Sequence, residues 1–119
     1  MINEDYVSFE TAKLLKEKGF NEITDKQFFI IDKIVGDYNI TDRARNPERY
    51  LDAPTLQMVM KWLREVHNIA IETEWEHLWY AYIKPMTSKP SEEDYYQCKS
   101  PKYEIAVEDA IKYCLENLI

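Results

Sequence analysis

The longest organised pattern in the chain is "APTLQMVMKWLREVHNIAI", residues 53–71. At 100° per residue, Met58, Ile69, Trp62, Val66, Val59, Leu63, Leu56, His67 and Met60 fill one arc of about 200°. Gln57, Lys61, Arg64, Glu65 and Asn68 fill the remainder. Pro54 suits the first turn of such a helix, where its missing N–H would have had no partner. An arc this wide exceeds what a surface helix needs. It predicts a central helix with a sheet on one flank and another helix on the other. The period then changes to two: Ile69, Ile71, Thr73 and Trp75 alternate with Ala70, Glu72 and Glu74, the signature of a half-buried strand. After a tight connection at Glu76-His77, "LWYAYIKP" reads as its antiparallel partner, ended by Pro85. "MTSKPSEED" reads as polar loop and "YYQCK" as a short third strand at an edge.

Two further helices are signalled at their ends. Ser8 can cap a first helix, with Val7, Thr11, Ala12, Leu14 and Leu15 on one side. Gly19 supplies a left-handed ending, and Phe20 can pack back on Leu15. Ser100-Pro101 reads as an N-cap followed by proline in the first turn of a last helix. Its face is Tyr103, Val107, Ala110, Ile111, Cys114, Leu115 and Leu118. Between the first two helices, "QFFIIDKIV" (27–35) reads as a strand buried on both faces or an irregular core segment. Gly36-Asp37 reads as a turn, and 38–52 as loop with a helical turn near Pro47 to Leu51. The pattern predicts a single α+β domain over residues 1–119. Its expected core is a small antiparallel sheet of three to four strands packed against two or three helices.

Composition narrows the class. A chain of 119 residues buries roughly two-thirds of the surface it exposes when unfolded, enough to fold without metal or disulfide. The net charge of −7 opposes binding to phosphate backbones. Arg43, Arg45 and Arg49 form the one arginine cluster, diluted by Asp42, Glu48 and Asp52, and read as a solvated loop. Cys98 and Cys114, outside any CxxC pair, read as reduced thiols. The N-terminal stretch "MINEDYVSFE" has neither the basic nor the apolar region of a signal peptide. No apolar run approaches the ~18 residues of a membrane span. The expected location is the cytoplasm.

Candidate chemistry is sparse. Two glycines in the whole chain leave no room for a phosphate-cradling loop. His67 and His77 stand alone, without the Asp, Glu or Cys spacing of a zinc site. His67 falls on the apolar arc and reads as a packed boundary histidine; His77 reads as a solvated turn residue. Glu72, Glu74 and Glu76 form an acidic ladder, which on an exposed strand face serves solubility and discourages edge pairing. The expectation is therefore not an enzyme, with no cofactor and no metal. Aromatic residues reach 13%. Trp75, Trp79, Tyr80 and Tyr82, near Tyr95 and Tyr96, exceed what one small sheet face hides and suggest a surface for protein contact. The alternative is a winged-helix-like nucleic-acid binder reading with Gln57, Lys61, Arg64 and Asn68. Against it stand the glutamates of the hairpin, the absence of a convincing preceding helix and the acidic chain.

Three segments, "VSFETAKLLKEKGFNE", "APTLQMVMKWLREVHNIAIE" and "EDAIKYCLENLI", taken in this order, resemble a group of short uncharacterised proteins encoded by phages and integrated mobile elements of gut bacteria. The resemblance covers somewhat under half of the chain, and residues 26–52 depart from it. It implies an accessory protein of a mobile element and assigns no site. The combined expectation is a non-enzymatic binding or adaptor protein. Its partner is another protein or a second copy of itself, rather than nucleic acid or a membrane.

Overall fold

A computed structural model describes residues 2–37, 40–86 and 96–119. The chain clusters into two compact units, Met1–Thr55 and Leu56–Ile119. Each unit combines helices with one three-stranded antiparallel sheet. The α+β class is as expected, with the strands divided between two sheets.

In the first unit, α1 (Phe9–Glu17) begins where Ser8 Oγ accepts from Thr11 N–H. It ends as its sequence predicts. Gly19 takes a φ of +89°, Phe20 N–H donates to the Leu15 carbonyl at 2.9 Å, and Gly19 N–H donates to that of Lys16 at 3.2 Å. This is the paired closure of a Schellman ending, which satisfies two carbonyls the helix would otherwise leave open. Thr11, Ala12 and Leu15 are buried.

The run "QFFIIDKIV" is not one buried strand. It folds as a hairpin of β1 (Lys26–Phe29) and β2 (Ile34–Asp37). The turn comes before Gly36-Asp37, which lie within β2. The cause is the charged pair inside the run. Asp32 Oδ1 accepts from Ile34 N–H at 3.1 Å, Lys33 adopts a φ of +59°, and Lys33 N–H donates to the Phe29 carbonyl at 2.7 Å. An aspartate that binds the backbone two residues on is a turn former. Gly36 leaves room for its cross-strand neighbour: a Cβ there would lie 2.9 Å from the Phe29 ring, which would have to shift.

The segment read as loop contains α2 (Ile40–Arg45), a 3₁₀ turn at Pro47–Arg49 near the expected position, and β3 (Tyr50–Asp52). β3 pairs with β1, giving the order β2-β1-β3. Arg43 forms an ion pair with Asp52 at 2.6 Å and lies 3.5 Å from Oε1 of Gln27, a glutamine with no exposed surface.

In the second unit, α3 (Leu56–His67) packs on β4 (Ile69–Glu76) and on α4 (Tyr103–Asn117), as its broad apolar arc requires. Leu56, Val59, Met60, Trp62 and Leu63 are buried. Val66 is the exception at 55% exposed; it belongs to the last turn, where Arg64, Glu65 and Val66 all face solvent. Asn68, at φ +55°, turns the chain from α3 directly into β4, and its carbonyl accepts from Met86 N–H. β4 and β5 (Leu78–Pro85) form the expected hairpin, with His77 alone between the paired Glu76 and Leu78. β6 (Tyr96–Ser100) completes the order β4-β5-β6. The residues of the polar loop beyond Met86, and Tyr95, lie outside the described residues.

The last helix starts later than expected. Ser100 closes β6, and its hydroxyl accepts from Lys102 N–H at 3.2 Å. Lys102 occupies the cap position with no side-chain bond. Val107, Ala110, Ile111, Cys114 and Leu115 are fully buried, whereas Leu118, past the helix end, is 43% exposed.

Candidate functional site

The register of the second sheet separates the four aromatic residues expected to share one surface. Residues directly opposite in an antiparallel pair point to the same face. Trp75 is opposite Trp79, and Thr73 is opposite Ala81. These belong to the face that also carries buried Ile71 and Ile83. Tyr80 and Tyr82 alternate with them and lie on the other face with Glu72, Glu74 and Lys84. Trp79 is half-buried and meets Tyr103 edge-to-face at 5.0 Å. Trp75, past the cover of that face, is 62% exposed. Tyr80 and Tyr82 stack almost parallel, and Lys84 lies over the Tyr82 ring while pairing with Glu72. Desolvation, and then the charge and hydrogen bond of Glu74, push the Tyr82 hydroxyl up from its ordinary value. The four residues therefore form no single patch.

Gln57, Lys61 and Arg64 on α3 and Asn68 just past its end are exposed, but two of these four have structural work. Gln57 Nε2 donates to the Tyr103 hydroxyl at 3.1 Å, and Asn68 supplies the left-handed turn. Lys61 and Arg64 remain as exposed cations. His67 packs edge-on against Trp62 at 4.6 Å, with its Nε2 buried and without a hydrogen-bond partner among the described residues. Burial, and then Asp109, push the Cys98 thiol up, and burial pushes that of Cys114 up to about 12. Low thiolate content makes both poor nucleophiles. Among the described residues, no group of three or more His, Cys, Asp or Glu is placed to hold a metal ion, and no helix is long and apolar enough to cross a membrane.

Among the described residues, a conspicuous exposed apolar surface lies in the first unit, on the β1–β2 hairpin. Ile31 is 97% exposed, Ile34 59% and Ile30 38%, whereas Val35, 43% exposed, alternates with Ile34 and lies on the opposite face of the hairpin. Scattered apolar residues on a surface are ordinary, as Ile2 and Ile23 are here, but a contiguous group is informative. Next to it opens a cleft of about 700 Å³, walled by Phe29, Ile30, Ile31 and Tyr50 and rimmed by Asp42, Glu48 and Arg49. Ile30 also walls a smaller hollow of about 210 Å³ with Phe9 and Leu51, rimmed by Lys13, Lys16 and Glu17. The ammonium groups of Lys13 and Lys33 both lie over the Phe9 ring, at 5.9 and 5.3 Å.

Reading 27–35 as one strand hid this surface. The available signal was Asp32-Lys33, two charges interrupting an apolar run. No protein-family model, no curated protein and no solved structure matches the chain.

Proposed function

We propose that the chain is a non-enzymatic binding or adaptor protein that works by protein contact, and that the β1–β2 hairpin is its contact surface. The observation that carries this reading is the exposure of Ile30, Ile31 and Ile34 beside an apolar-walled cleft, Ile34 on the face of its cross-strand partner Phe29, which lines that cleft. Burying one such side chain contributes about 1.5–3 kcal/mol. Association costs about 4–15 kcal/mol in lost freedom, so the aliphatics must be covered together for a contact to persist. The hairpin presents Ile30 and Ile31 on its turn and Ile34 at the start of β2, within five residues. The resemblance to proteins of phages and mobile elements supplies the setting: an accessory protein whose work is to hold another component.

A photo-crosslinking residue at position 31 tests this in cells that express the chain, with the same residue at position 61 as control. Discrete products are expected from position 31 and not from 61. Equal labelling at both positions would sink the reading, and nucleic acid recovered from position 61 alone would favour the helix-face alternative.

A further inference from the structure

The two hollows on either side of Ile30 carry opposite charge sets. One has two cations and an anion, Lys13, Lys16 and Glu17. The other has two anions and a cation, Asp42, Glu48 and Arg49. Ile30 lines both hollows, and the fully exposed Ile31 lines the second. A two-fold axis places each surface patch against its own copy, so the left side of one protomer meets the right side of the other. A patch with an apolar centre and oppositely charged flanks is self-complementary under that operation.

We propose that the chain forms a two-fold homodimer through the β1–β2 hairpin. Ile30 and Ile31 lie at the axis, and the Lys13/Lys16/Glu17 side of each copy faces the Asp42/Glu48/Arg49 side of the other. This rests on the hairpin being the contact surface and names its partner as a second copy. A foreign acidic or basic partner would match one flank and repel the other, whereas the same chain matches both. Charged flanks of this kind fix partner choice and register, and the apolar centre supplies the contact they orient.

Light scattering on the full chain, over a wide range of concentration, gives the test. The mass is expected to rise from 14.3 kDa toward twice that value, and Ile31→Asp is expected to abolish the rise. Lys16→Glu leaves both flanks net negative and is expected to weaken association by at least about tenfold. Lys16→Glu combined with Glu48→Lys makes the flanks opposite again and is expected to restore it. Circular dichroism on each variant separates lost association from lost folding, and Lys13→Glu repeats the flank test at a second exposed position. A wild-type mass fixed at 14.3 kDa overturns the proposal. So does a folded double variant that is not rescued. A crosslink from position 31 to a product other than the dimer overturns the homodimer and leaves the hairpin reading standing. No crosslink at all removes both.

Discussion

Gly19 shows how much one residue can specify. A Cβ at that position would meet nothing within 4 Å, so Gly19→Ala tests backbone strain at φ +89° without steric conflict. The expected loss is about 1 kcal/mol, read as a shift in the urea midpoint. Cys114 gives a test in the alkaline range. Burial holds its thiol up to about 12, so the folded chain keeps the proton more tightly than the unfolded one. The linked stability is complete below the ordinary thiol value of about 8.5 and is lost as pH rises through about 12. Urea unfolding at stepped alkaline pH is expected to show a shallower decline in Cys114→Ala than in wild type. In the native state, alkylation should reach half-buried Cys98 before buried Cys114. At this scale the sequence was legible wherever one residue has one common use. Ser8 and Gly19 took their expected places. Ser100 did not, because a serine before a proline can equally well cap a helix or brace a turn, and here its hydroxyl holds Lys102 N–H.

Elements were legible where a periodic pattern ran long enough to average out local exceptions. α3, the β4–β5 hairpin and α4 each span eight residues or more, and each was read from its period. β1, β2 and β3 span three or four residues, too few for a period to register; what places them is the turn that pairs β1 with β2 and the longer-range pairing of β1 with β3. The hairpin surface was missed for the same reason: β-branched residues in succession look alike whether a strand buries them or a turn displays them. The tight reversal at His77 carries a prediction of its own. With φ at +65°, an imidazole side chain occupies a conformation that costs an L-residue roughly 1 kcal/mol. His77→Gly is expected to raise the melting temperature by a few degrees, less whatever the unfolded chain gains in freedom. A fall instead would mean that the contact of His77 with Trp75 at 6.1 Å outweighs the strain.

For the molecule as a whole, the net charge of −7 argues at a longer range than any single contact. Random duplex DNA is expected to show no gel shift at physiological salt, and Lys61→Glu/Arg64→Glu is expected to change nothing. A salt-dependent shift lost in that variant would revive the helix-face reading. The division of strands into two sheets is the feature that composition and periodicity did not disclose, since either sheet alone satisfies the same alternation. It has a practical side. β2 and β3 are the outer strands of one sheet, β4 and β6 of the other; joined into one sheet, the same strands would leave two outer strands in place of four. Every such margin offers unsatisfied amides to a passing strand. The β4 margin is defended by Glu72, Glu74 and Glu76, all exposed, whereas the β2 margin displays Ile34 and Val35. In concentrated stocks, fibrils should therefore be seeded along β2, and a lysine in place of Val35 should lengthen shelf life.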